Sequence, residues 1–195
     1  MARRATGIVV ALAVCCSALT FGAAAAGGGP NNLVSTTATT GDTVQERAAA
    51  QVASFGGDDL QSTNLARADS HDCTGCRSVA VAVQAVFATH DPSTVEPHNF
   101  AVATNESCTR CTTFAFAYQY VVTTGGPVHL SAQARSEIDQ LRGEFQDAAQ
   151  SDLAPPDLDA RLHALADRFK ADINQGVRDS GRTPHGRAHL REDDR

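Results

Sequence analysis

One pattern is written twice in the middle of the chain, and it constrains the fold more than anything else. Cys73-Thr74-Gly75-Cys76 leads into Val79-Ala80-Val81-Ala82-Val83-Gln84, and Cys108-Thr109-Arg110-Cys111 leads into Phe114-Ala115-Phe116-Ala117-Tyr118-Gln119. A shift of 35 positions superposes both cysteines and the threonine, and also carries Ala80 onto Ala115, Ala82 onto Ala117, Gln84 onto Gln119, Val86 onto Val121 and Thr89 onto Thr124. Self-similarity at a fixed period of this size marks a duplicated structural unit.

Both copies alternate large and small residues. Val79, Val81 and Val83 stand between Ala80, Ala82 and Gln84, while Phe114, Phe116, Tyr118 and Tyr120 stand between Ala115, Ala117 and Gln119. A period of two places successive side chains on opposite faces of a strand. Phe100, Val102 and Thr104 alternate with Ala101 and Ala103, which predicts a third strand between the copies, after turn signals at Pro92 and Pro97. β-Branched and aromatic side chains suit a pleated surface, so strands are preferred here over a pair of buried alanine-rich helices. Gly125-Gly126-Pro127 predicts a turn and Val128 to Leu130 a short returning strand.

Two helices follow. Ser131 is placed as an N-cap before Ile138, Leu141, Phe145 and Ala148, which gives a helix over 132–149. Pro155-Pro156-Asp157 restarts the chain, and Leu158, Leu162, Leu165, Phe169 and Ile173 form a second apolar stripe ending at Gly176. The short connection predicts an antiparallel helical hairpin whose stripe lies on the aromatic face of the sheet. The expected fold is therefore α+β: a small antiparallel sheet built from the duplicated Cys-x-x-Cys strand unit, with a C-terminal antiparallel helical hairpin.

The flanks read differently. Arg3 and Arg4, the apolar stretch from Ile8 to Phe21 and the alanines 23–26 have the layout of a secretory signal over 1–26, cleaved rather than kept as an anchor. Residues 27–59 read as a flexible leader rich in Gly, Ala, Thr and Asn, with a short helix over Val44 to Phe55. A single domain spans 60–177, opening with a short edge strand at Thr63 to Ala68. Residues 178–195, with almost nothing apolar, read as a disordered tail.

Export bears on the cysteines. The chain has six; Cys15 and Cys16 lie in the signal, which leaves four in the mature protein. An even number in an oxidising compartment favours disulfides among Cys73, Cys76, Cys108 and Cys111. Two alternatives use the same residues. Zinc would take four thiolates, though its usual knuckle has a glycine after the second cysteine where this chain has Arg77 and Thr112. A thiol-disulfide redox motif would sit at a helix N-terminus, whereas these enter strand patterns. Strand order decides the pairing: in a meander the strand over 99–105 separates the copies by two spacings, about 9.6 Å. A disulfide needs Cα atoms within about 7 Å. Pairing within each motif follows, Cys73 with Cys76 and Cys108 with Cys111. Adjacent parallel copies would instead allow Cys73 to meet Cys108.

The remaining candidates are few. Gln84 and Gln119 occupy equivalent places, either as a paired amide site for a ligand or, in the preferred reading, as partners inside the fold. Tyr118 and Tyr120 read as core aromatics. His71, two residues from Cys73, and His90 and His98 read as solvated, and His185 and His189 as tail residues. No acid, base and nucleophile set accompanies the cysteines, so no catalytic residue and no resident cofactor are expected, with zinc as the alternative. The formal charge of −6 becomes −8 when Arg3 and Arg4 leave with the signal, and there is no basic stripe for nucleic acid. No membrane span is expected after cleavage.

From about Gln61 to Val177 the chain resembles a family of exported actinobacterial proteins of unknown function. The motifs that carry the likeness are Cys73 to Gln84, Asn99 to Asn105, and Cys108-Thr109-Arg110-Cys111 with Phe114 to Val122. The same region also occurs as the extracytoplasmic tail of some membrane proteins described as peptide zinc metalloproteases. The His-Glu-x-x-His helix of such a protease is absent here, so no protease residue carries over. The expectation is a secreted or cell-surface binding or structural module that meets a protein or cell-surface partner, with an extracytoplasmic redox or zinc-binding protein as the alternative.

Overall fold

The structure, a computed structural model, describes residues 28–195. The expected signal over 1–26 therefore lies outside the described residues. Seven strands and two helices follow in order: β1 (Asn32–Ala38), β2 (Val44–Phe55), β3 (Asp59–His71), β4 (Arg77–Ala88), β5 (Thr94–Glu106), β6 (Thr112–Thr123), α1 (Ala132–Ala149), α2 (Pro155–Asp179) and β7 (His185–Asp194). They build two sheets, β1-β3-β5 and β2-β4-β6-β7. All pairs are parallel except β6 with β7.

The chain is thus wound as a flattened solenoid of three coils, each contributing one strand to each sheet. This corrects the expected small antiparallel sheet. The duplicated strands β4 and β6 are neighbours, with Ala80 opposite Ala115 and Gln84 opposite Gln119, and β5 lies in the other sheet instead of between them. Parallel neighbours need a crossover, and here the crossover is a strand of the facing sheet. Stacking identical positions is the repeat's own logic, since each coil offers its neighbour the same surface it presents itself.

A first, degenerate coil precedes the two visible copies. Residues 32–55, read as leader and short helix, are β1 and β2. Glu46, Arg47 and the alanines 48–50 favour helix locally, but each residue of β2 pairs with β4, and tertiary pairing overrides so weak a preference. The edge strand at Thr63 to Ala68 is in fact the centre of β3, paired on both sides. Val128 to Leu130 form no strand.

Two layers of core result. Between the sheets, Val34, Ala66, Ala68 and Ala103 face Ala80, Ala82, Ala115 and Ala117. On the outer face of the mixed sheet, Val79, Val81, Phe114, Phe116 and Tyr118 meet Ile138, Leu141 and Phe145 of α1 and Leu158, Leu162, Leu165 and Phe169 of α2. Burial on both faces explains why β4 is apolar along nearly its whole length. The helical pair is as expected. Ser131 accepts a hydrogen bond from the Ala134 amide at 3.1 Å, Pro155 opens α2, and Phe145 meets Phe169 edge to face at 6.3 Å.

The tail is ordered too. Residues 185–194, expected to be disordered, form β7 along the free edge of β6, from Thr123 opposite His185 to Phe114 opposite Asp194. A strand's backbone donors and acceptors pair whatever its side chains are, so a polar segment can serve as an edge cover. Leu190 packs on the core. β7 also reaches the other sheet: Asn99 Nδ2 donates to the His189 carbonyl at 2.9 Å, and the Ala103 amide donates to Asp193 Oδ2 at 3.0 Å.

Candidate functional site

The cysteine motifs form the corners at which the second and third coils turn from β3 into β4 and from β5 into β6. Each corner takes a left-handed backbone at the same two places: Asp72 (φ 52°) and Gly75 (φ 70°) in one, Ser107 (φ 50°) and Arg110 (φ 57°) in the other. Gly75 adopts this region freely, whereas Arg110 does so against its Cβ. Backbone hydrogen bonds stack the corners: Thr109 N to Cys73 O at 3.0 Å, Gly75 N to Thr109 O at 2.8 Å and Thr112 N to Cys76 O at 2.8 Å.

This stacking collects the sulfurs. Cys73 is bonded to Cys76 and Cys108 to Cys111, with Cα separations of 6.2 and 5.9 Å. The pairing within each motif is the expected one, but the strand order from which it was argued is overturned. The corners lie one strand spacing apart, so cross-pairs are not excluded by distance. Cys73 Sγ stands 3.3 Å from Cys108 Sγ and 3.7 Å from Cys111 Sγ. The sulfurs of Cys73, Cys108 and Cys111 all lie within 4.8 Å of one another. Reduced, these three residues would offer thiolates of the kind that ligate zinc.

The other predicted residues separate from this corner. Gln84 and Gln119 lie between the sheets and belong to a column: Gln119 Nε2 donates to Gln84 Oε1 at 2.8 Å, and Gln84 Nε2 to Gln51 Oε1 at 2.7 Å. Ser62 also accepts from Gln119, and Pro30 O from Gln84. Both Nε2 groups are spent on the fold, while Gln119 Oε1 is buried without a hydrogen-bond partner among the described residues. A second column runs through Asn32, Asn64 and Asn99, with Nδ2-to-Oδ1 distances of 2.9 and 2.8 Å, and each Asn also donates to a carbonyl of the facing sheet. Tyr118 and Tyr120 are buried, as expected. Burial pushes both phenols up, and Tyr120 donates to Asn174 Oδ1 at 2.7 Å. His71 lies 3.5 Å from Asp72, His90 contacts Thr89, and His98 stacks with Phe100 on the outer face of the parallel sheet. His185 and His189 lie in β7.

One cluster has no counterpart in the sequence reading. His163 Nε2 lies 3.5 Å from Asp159 on the same face of α2 and 3.1 Å from Glu192 on β7. Burial and the neighbouring Glu192 raise the Asp159 carboxyl above the usual range. The helical i, i+4 spacing of Asp159 and His163 was visible in the chain, but the strand that brings Glu192 to them was not. No helix among the described residues is long and apolar enough to cross a membrane.

Comparison with protein-family models, curated proteins and solved structures yields no significant match.

Proposed function

We propose that the protein is a secreted or cell-surface, non-catalytic binding module stapled by its two disulfides, akin to the exported actinobacterial proteins it resembles. Its binding surface is the outer face of β1-β3-β5. The observation that carries this reading is the asymmetry of the two sheets. The helical hairpin covers the outer face of the mixed sheet, while the parallel sheet exposes Leu33 (64%), Phe100 (50%) and Val102 (36%). Leu33, Leu65 and Phe100 are in register across the three strands, forming an apolar row flanked by Ser35, Arg67 and Val102. Exposed apolar rows rimmed by polar side chains mark protein contact sites. Amide columns and disulfides fix the sheet beneath, so binding there costs little ordering. The partner is a protein presenting an apolar, flat or extended surface. The two cysteine pairs at disulfide distance are compatible with an extracytoplasmic setting.

A photo-crosslinking residue at Phe100, introduced into the protein in its native exported setting, tests this reading against one placed at Arg161 on α2. A discrete protein adduct from position 100 that is lost with Leu33→Lys supports it. No adduct, or the same adduct from both positions, overturns the assignment of the face. Turnover of a peptide or ester that survives replacement of Cys73, Cys76, Cys108 and Cys111 overturns its non-catalytic part.

A further inference from the structure

The two disulfides differ in access but touch each other. Cys73 and Cys76 are 7% and 1% exposed, whereas Cys108 and Cys111, in the last coil, are only partly buried. Cys73 Sγ is the common neighbour, bonded to Cys76 and in contact with Cys108 at 3.3 Å and Cys111 at 3.7 Å. The Thr74 to Thr109 bridge between the corners holds this register. Disulfides exchange when a thiolate reaches a disulfide sulfur, and here that approach is built into the stacking.

We propose that the corner is a dithiol-disulfide relay, through which an external extracytoplasmic dithiol reduces the buried Cys73–Cys76 pair by way of the accessible Cys108–Cys111 pair. A thiolate of the external dithiol attacks Cys111, breaks its bond to Cys108 and forms a mixed disulfide. The second external thiol, as its thiolate, resolves that bond, leaving an external disulfide with Cys108 and Cys111 reduced. Cys108 thiolate then attacks Cys73 across 3.3 Å. The Cys73–Cys76 bond breaks and Cys76 leaves as a thiolate, taking a proton from solvent. Cys111, having lost its proton, attacks Cys108, reforming Cys108–Cys111 and releasing Cys73 as a thiolate that is protonated in turn. In sum, one external dithiol is oxidised to its disulfide, and two electrons and two protons reach Cys73 and Cys76. The relay is distinct from the binding reading: Leu33 and Phe100 lie on the sheet face, and their variants leave it intact.

The intermediate can be trapped. In Cys76→Ser/Cys111→Ser, Cys73 and Cys108 should join under a mild external disulfide. Acid cleavage at Asp91–Pro92, the single Asp-Pro bond in the chain, should then give fragments that stay linked until reduced. A variant with native circular dichroism that keeps both thiols free overturns the relay. The second measurement does not depend on that variant folding. With dithiothreitol as the external dithiol, alkylation and mass mapping follow the loss of Cys73–Cys76 in the otherwise unmodified protein and in Cys108→Ser/Cys111→Ser. Slowing by at least about tenfold without the outer pair supports the relay. An unchanged or faster rate overturns it.

Discussion

Gln119 donates its side-chain amide to the side-chain carbonyl of Gln84 at 2.8 Å, and neither residue has any exposed surface. Two residues 35 apart in sequence thereby meet as like to like, because parallel strands β4 and β6 stack equivalent positions of the repeat in register. Gln84→Ala would remove the middle of the column, taking the Gln84 acceptor from Gln119 Nε2, which keeps Ser62, and the donor from the half-buried Gln51 Oε1. Losing hydrogen bonds at a buried polar position costs about 1 to 3 kcal/mol, and a loss in that range is expected in urea unfolding. Gln51→Ala, at the more open end, should cost less than half of that. Equal costs would show that the column does not act as a chain.

The small residues between the sheets set the distance between them. Ala82 and Ala117 are fully buried and oppose one another in register. Ala117→Leu is expected to overpack this layer and cost about 1 to 3 kcal/mol. An unchanged denaturation midpoint would show that the layer has room to spare.

Pairing within each motif can be read directly. Acid cleavage at Asp91–Pro92 of the oxidised protein, at a pH where exchange is suppressed, is expected to give two fragments that separate without reductant under denaturing conditions. Fragments that hold together until reduced would assign the resting bonds across the coils.

Strand β7 covers the edge of β6, and Asp193 accepts from the Ala103 amide. Truncation after Gly181 would leave that edge bare, and bare edges pair with other chains. Concentration-dependent self-association is expected by light scattering, where the full chain shows less. Equal association of both forms would show that β7 protects nothing.

Asp159 carries a carboxyl raised by burial and by Glu192, with His163 acting in the opposite direction. A raised carboxyl stabilises the fold fully below the ordinary Asp value, and that contribution is lost as pH rises through the folded value. The stability of the wild-type protein relative to Asp159→Asn should therefore increase as pH is lowered from neutral toward 4. Thermal midpoints measured across that range check it, and a difference independent of pH would remove the account.

Local chemistry explains which elements were legible. The stripes Ile138–Leu141–Phe145 and Leu158–Leu162–Leu165, with Ser131 and Pro155 at their starts, specify helices whatever surrounds them. The alternation in β4 and β6 specifies strands in the same way. The first coil was harder, because its corner has no cysteine and its β2 is rich in helix formers. A trace was nevertheless present. Asn32-Leu33, Asn64-Leu65 and Asn99-Phe100 recur, as do Ala49-Ala50-Gln51, Ala82-Val83-Gln84 and Ala117-Tyr118-Gln119, and these mark the two amide columns.

By itself the sequence determined the repeat, the two helices and the strands that bear the motifs, because each depends on residues close together in the chain; it led to cysteine pairing within each motif only through a strand order that the structure overturns. Only the tertiary structure decided that the copies lie side by side and parallel, that β5 crosses to a second sheet, and that the polar C-terminal segment closes the edge. Period-two alternation fixes which face a side chain occupies but carries no information on which strand lies beside it. That choice follows from backbone hydrogen bonds and from like side chains meeting between coils, which also bring four sulfurs from two distant motifs into one corner.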